Sequence, residues 1–480
     1  MQGLAAIMTA MVALAANAQD SSVLNIVGRL EPFVDNYLID GMNGVSLKMA
    51  EPVAREIVLR FDRPWEGRHC GYITIIKDEP VYRLYYRGLG VDGGDGTDAE
   101  FTCYAESVDG IHFTKPALGL FEYGGSKDNN IVLAKTAPFS HNFAPFLDTR
   151  PGVPTEERYK ALAGVEKSGL CLFVSPDGIH WHKLREEPVI TKGAFDSQNV
   201  GFWSESEQCY VCYFRTWVEG GYSGYRTISR TTSPDLLNWT APERMTFGDV
   251  PMEHLYINQT RPYFRAPHLY VSLAARFMQG RRVVPAEMAA SIGAAPDGTA
   301  DCSDTVLMTT RGGTRYDRTF MESFVRPGIG LDNWVTRTNY SANGVVPTGT
   351  AEMSFYVERD YGLPTACLQR MTLRTDGFAS IHAPFSGGEF RTKTLEFAGK
   401  QLALNYSTSS AGSIAVEVQN PDGTPVPGYA RADAQELVGD AIERPFAWKD
   451  KADVSELAGK SVRLVFIMKD ADLYSIRFRE

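Results

Sequence analysis

Apolar positions along most of this chain either alternate with polar ones or run in short stretches. Their spacing is that of strands, with few helical periodicities. The stretches come in pairs, an apolar strand followed by an aromatic-rich one. They fall at 71–76 and 81–86, at 143–146 and 159–162, at 200–203 and 210–214, and at 256–258 and 268–273, while 352–357 opens a fifth unit. A third strand in each unit closes on a tight turn. The turns contain Asp109-Gly110, Asp177-Gly178, Asp235-Leu236, Gly312-Gly313 and Asp376-Gly377, and most copies carry an aromatic residue shortly afterwards (Phe113, Trp181, Trp239, Tyr316, Phe378). One such turn roughly every 70 residues marks a radial array of small sheets rather than one continuous sheet. Asp and Gly tolerate the positive φ of the corner, and the aromatic can plug the seam to the next unit. Five units predict a five-bladed β-propeller.

After about Pro384 the pattern changes to cleanly alternating runs at 395–397, 402–406, 414–418, 462–466 and 473–478, which predict a β-sandwich. The expected fold is therefore all-β, with a propeller over 19–385 and a sandwich over 386–480. Residues 1–18 read as a secretory leader: an apolar stretch from Leu4 to Ala16 ends in Ala16-Asn17-Ala18, too short to span a bilayer and lacking Lys or Arg at its start. A secreted or periplasmic location follows from that reading. The longest insertion, 278–303, falls in the fourth unit and carries the one expected short helix.

Composition narrows the partners. The chain has 480 residues with a formal net charge of −10 and no basic run, which argues against nucleic acid or an anionic membrane surface. The seven cysteines are scattered and odd in number, so no disulfide framework is expected. Cys209 and Cys212 lie three apart on a strand and point to opposite faces, which speaks against a shared metal. No cofactor and no metal is expected.

In a propeller the innermost strands converge on one mouth of a central channel, so polar residues heading those strands are the candidates for chemistry. They are Glu66, His141 and Asn142, Asp196 with Asn199, Glu253 with His254, and Glu352. Carboxylates gathered in one funnel shift each other's pKa, and a protonated acid beside an ionised base is what glycosidic cleavage requires. For several of these residues two roles stand open. Glu66 could cap a turn with Arg63 or Arg68, Glu352 could face solvent, and His141 could be structural. Arg265 and His268 could line the cavity or satisfy blade carbonyls, and Glu322 reads as a blade edge.

The stretch Asp196-Ser-Gln-Asn199-Val-Gly-Phe-Trp-Ser-Glu205, with the Tyr-rich strand that follows at 210–214, resembles the blade opening of five-bladed propeller glycosidases of families 32, 43 and 68. The resemblance implies that Asp196 stabilises the transition state or tunes the acid. It implies that Glu253, in Glu253-His254-Leu255-Tyr256, is the general acid. The C-terminal strands match the family 32 layout. The clan's first-blade Asp should head strand 71–76, where no Asp stands; Asp62 and Glu66 are the nearest carboxylates, and Glu66 takes the place of base or nucleophile. His141, Asn142, Asn199, His254, Arg265 and Glu352 are the expected contacts to a carbohydrate substrate. The resulting expectation is a secreted glycoside hydrolase, and it requires residues 196 and 253 to share the funnel. The alternatives are a non-catalytic carbohydrate-binding propeller and a sialidase-like hydrolase. Sialidases share the Asp-box turns but use six blades and an arginine triad.

Overall fold

The structure, a computed structural model, describes residues 23–449 and 451–480. The expected leader at 1–18 lies outside the described residues. Five small antiparallel sheets follow one another along the chain. The first comprises Gly71–Asp78, Val81–Leu89, Glu100–Ser107 and Ile131–Leu133. The second comprises Ala144–Leu147, Tyr159–Ala163, Cys171–Ser175 and His182–Lys183. The third comprises Val200–Ser204, Cys209–Trp217, Arg226–Ser233 and Glu243–Arg244. The fourth comprises Thr260–Tyr263, Ala266–Met278 and Cys302–Thr310, with bridges from Asp317 and Val325 along its outer edge. The fifth comprises Val346–Pro347, Glu352–Arg359 and Cys367–Arg374. Its outer strand, Val53–Arg60, comes from the N-terminal side of the chain and closes the ring. This is a five-bladed β-propeller.

The repeated turns hold the seams. In the first three copies the Ser hydroxyl accepts from the Asp backbone N–H, and the Asp carboxylate accepts from two backbone N–H groups beyond the corner. The corner residue is left-handed in all three: Gly110 at φ 73°, Gly178 at 77° and Leu236 at 67°. A tyrosine of the neighbouring blade then donates to the corner carbonyl, Tyr356 to Gly110 at 2.6 Å and Tyr85 to Gly178 at 3.0 Å. The geometry repeats because each third strand needs the same reversal against the same neighbour.

The strands at the C-terminal end form an eight-stranded antiparallel sheet. The short runs read at 402–406 and 414–418 are one long strand, Gln401–Gln419, and those at 462–466 and 473–478 are another, Arg463–Arg479. The two pair along their length with a register break between Thr408 and Ser413. Leu402, Leu404 and Tyr406 from one side of the break, and Ile414, Val416 and Val418 from the other, pack in one cluster with Phe390, Phe466 and Trp448. The division at 385/386 does not follow this hydrogen bonding. Leu30–Pro32, Ile39–Asn43, Ser46–Met49 and Ala379–Ala383 all pair with strands of this sheet, so the N-terminal segment belongs to it before the chain crosses to close the propeller.

The antiparallel order decides what faces where. The first residues of each innermost strand, the last residues of each second strand, and the loops joining second to third strands share one end of the ring. The Asp-Gly turns, following the third strands, lie at the other.

Candidate active site

At the first of these ends lies a funnel of about 360 Å³. Every blade contributes one side chain from the start of its innermost segment: Tyr72, His141, Asp196, Tyr256 and Tyr340. The ends of the second strands add Arg87 and Glu358, and the second-to-third loops add Asp95, Val165 and Tyr361. Arg337 reaches in from the segment that leads into the fifth blade. Three non-glycine residues at or beside this wall, Tyr72, Phe195 and Arg337, hold positive φ of 51°, 52° and 65°. Backbone strain of this kind persists where the surroundings over-determine it, as functional sites do. Beneath the funnel a buried polar ring closes the channel. Gln198 donates to Thr74 Oγ1 at 2.6 Å, and Gln259 donates to Gln198 Oε1 and to the Ser341 carbonyl, both at 2.8 Å.

The carboxyl groups in the funnel have opposed electrostatic surroundings. Burial works against ionisation of Asp196, but His141, the Arg215 guanidinium at 3.1 Å and Arg337 hold its carboxyl below the usual range. Its side chain is 42% exposed to the funnel. His141 sits between two carboxylates: Nδ1 donates to Glu100 at 2.8 Å, and Nε2 faces Asp196 at 3.7 Å, an ion-pair rather than a hydrogen-bond distance. Burial disfavours the imidazolium, yet the two carboxylates outweigh it and raise the pKa of His141. Glu358 is the reverse case. Burial drives its carboxyl well above the ordinary 4.5, and the nearby charges of Arg87 and Arg337 oppose this only in part. Glu358 is 4% exposed, and its Oε1 meets no protein partner. One funnel thus holds a carboxylic acid favoured in its protonated form and a carboxylate favoured in its ionised form.

The ligand atoms of Asp95, Glu100 and His141 lie within 4.8 Å of one another, the one such group among the described residues that could hold a metal ion. Arg87 Nη1 already stands 3.6, 3.5 and 3.2 Å from them and supplies the positive charge that a cation would bring.

Of the residues singled out in the sequence, the structure brings Asp196 and His141 into the funnel; the others stand elsewhere. Glu253 binds Arg276 at 2.9 Å and Arg318 at 2.5 Å within an ion cluster of the fourth blade that includes Asp304. Glu66 is fully buried and accepts from Tyr86, Lys115 and the Arg63 N–H, so it fastens the first blade. Asn142 ties Gly164 to Phe195 through three hydrogen bonds, and Asn199 donates to Phe195 O; both brace the backbone next to Asp196. His254 accepts from the Arg226 N–H and packs on Tyr225. Arg265 pairs with Asp376 and Glu443 at the junction with the C-terminal sheet, and Glu352 pairs with Arg370. Neither residue approaches the funnel. His268 binds Glu31.

The physical reason is register. The innermost strands of the first and fourth blades begin their funnel contacts at Tyr72 and Tyr256, several residues after Glu66 and Glu253. In the fifth blade, Glu352 opens the second strand; the innermost segment is the weakly patterned Tyr340–Val346 stretch, whose Ala342 pairs with Tyr356. Glu358 and Arg337 were not foreseen. The available signal for Glu358 was an acid at the end of an otherwise apolar strand; Arg337 lies in a loop with no periodicity.

No family model and no curated protein matches the chain. Among solved structures it is similar to an N-acetylgalactosamine deacetylase from F. plautii, in complex with blood group B trisaccharide, at 13% identity. The match covers 69% of this chain and 96% of that one, with a TM-score of 0.45. A β-1,2-mannobiose phosphorylase from Listeria innocua is 10% identical over 69% of this chain and 98% of its own, also at 0.45. A protein described as a glycoside hydrolase is 11% identical over 68% and 92%, at 0.44. At such identities the chemistry has to be read from this chain's own residues.

Proposed function

We propose that the protein is a glycoside hydrolase whose general acid is Glu358 and whose second carboxylate is Asp196. The observation that carries this reading is that one cavity is lined by a buried Glu358 whose Oε1 has no protein partner and by an Asp196 paired with Arg215 at 3.1 Å. These surroundings favour the protonated form of the first and the ionised form of the second, as a site supplying acid and base together requires. Glu358 gives its proton to the glycosidic oxygen. The carboxylate left behind is stabilised by Arg87 and Arg337, whose charges already act on it. Asp196, ionised by His141 and Arg215, meets the positive charge that develops on the sugar as base or nucleophile. The anomer released first distinguishes the two.

The funnel is sized for one or two sugar units. A second depression of about 550 Å³ shares Asp95, Arg337 and Tyr361 with it and continues toward Ala295 and Asp297 of the fourth-blade insertion, which provides room for further units. A secreted or periplasmic location, expected only from the reading of residues 1–18 as a leader, belongs to the same proposal.

The test is hydrolysis across a glycan panel by wild type, Glu358→Gln and Asp196→Asn. Each substitution is expected to lower kcat by about 10²-fold or more with the fold intact. Full turnover by Glu358→Gln removes it as the acid. Binding without turnover by wild type makes the protein a lectin-like propeller.

A further inference from the structure

The funnel contains more positive charge than its acid–base pair needs. Arg87 donates to the His69 carbonyl and Tyr361, Arg215 to Asp196 and the Tyr256 carbonyl, and Arg226 to Gln279. Arg337 differs. Among the described residues no carboxylate, carbonyl or hydroxyl accepts from it, although it lines the funnel. It stands on a left-handed backbone at φ 65°, which fixes where the side chain starts. Three guanidiniums surround the Tyr256 ring, Arg215, Arg226 and Arg337 at 4.1, 5.3 and 5.8 Å. Beside them the Tyr340 ring packs on Tyr256, centroids 5.4 Å apart, and its buried hydroxyl has no protein partner. The charge of Arg337 acts on the Asp196 and Glu358 carboxyls, but among the described residues its N–H groups have no acceptor, and donors partly withdrawn from water are costly unless a ligand fills them. Its planar fork suits a carboxylate, with which it forms two parallel hydrogen bonds.

Resting on the glycosidase reading above, we propose that the substrate carries a carboxylate on the sugar bound in the funnel, as a uronate does, and that Arg337 is the residue that selects it. The acid–base pair then works on the bond of a sugar held by its own charge, and neutral glycans lack that hold.

The experiment uses oligogalacturonides, glucuronoxylan oligosaccharides and alginate oligosaccharides, each beside its carboxyl-reduced counterpart. Binding is measured by calorimetry and cleavage by product analysis, for wild type, Arg337→Gln and Arg337→Lys, with thermal melting as the check on folding. At least one acidic glycan is expected to bind, and to bind about tenfold more weakly after carboxyl reduction, the scale of a lost charge-assisted contact. Arg337→Gln is expected to lower kcat on acidic and carboxyl-reduced glycans alike, because its charge acts on Glu358 and Asp196, but to weaken binding of the acidic glycan alone by a similar factor, and Arg337→Lys to restore part of that binding. The proposal is overturned if no acidic glycan in the panel binds, or if reduced and neutral glycans are handled as well as acidic ones. It is equally overturned if cleavage of a neutral glycan consumes inorganic phosphate, since the oxyanion would then be free phosphate. Acidic glycans bound but never cleaved would sink the hydrolase reading and leave the recognition of the carboxylate standing, whereas cleavage of neutral glycans by water would do the opposite.

Discussion

Glu358 owes its behaviour to where its strand ends. Residues 353–357 are buried between neighbouring blades, and the strand delivers the carboxyl at its last turnings into the funnel wall before water reaches it. A folded pKa raised above the unfolded one means that the native state holds the proton more tightly. The resulting stabilisation is present in full below the ordinary 4.5 and is lost as pH rises through the folded value. Glu358→Gln removes this dependence, so the stability of the variant relative to wild type is expected to climb across that window, by up to about 1.4 kcal/mol per pH unit. Melting curves at several pH values check this. In turnover the same displacements give a bell: activity falls on the acid side as Asp196 takes a proton, below the usual 3.8, and on the alkaline side as Glu358 loses one, well above 4.5. Glu253→Gln should leave kcat within about twofold, because its two arginines are structural partners. Asp196 and His141 were legible in the sequence because each stands just ahead of a strongly apolar innermost strand. Glu358 was not, because a polar residue at the far end of a second strand reaches the same funnel only through the antiparallel return of the chain.

At the scale of elements the most visible motif and the site lie at opposite ends of the blades. The Ser-x-Asp turns could be read because each is a local device: a carboxylate satisfying backbone N–H groups two and three residues on, at a corner that accepts positive φ. Their partners across the seam are nonlocal and needed coordinates. Tyr356→Phe should cost about 1 kcal/mol, since it leaves the buried Gly110 carbonyl without its donor, and denaturant unfolding is the measurement. The strands of the first three blades carried their pattern openly; in the fourth the expected strand at 256–258 is irregular chain, and the innermost strand is Thr260–Tyr263. The fifth did not show its pattern, because its innermost segment runs through Ser341, Ala342, Asn343 and Gly344, small and polar residues that carry no apolar alternation even though the first three are buried. That local composition displaced the expected site residue from the true segment to Glu352.

The whole molecule is tied together by one carboxylate. Asp376, fully buried in the fifth turn, accepts from Tyr263 at 2.7 Å, Ser475 at 2.8 Å, Asn405 at 2.9 Å and Arg265 at 3.2 Å, joining two blades to the C-terminal sheet. Asp376→Ala strands all four donors and should destabilise the protein by roughly 3 kcal/mol or more, seen as a lowered melting temperature. Funnel chemistry sits at the other end of the blades and should survive at low temperature.

The central claim is that Glu358 keeps its proton where ordinary glutamates have lost theirs. Carbon-13 NMR of the glutamate carboxyls, titrated over pH and assigned by comparison with Glu358→Gln, tests this without knowledge of the substrate. A resonance that vanishes in the variant and titrates well above 4.5 is the result expected. A Glu358 carboxyl that titrates with the others would contradict the assignment of the acid, and with it the site.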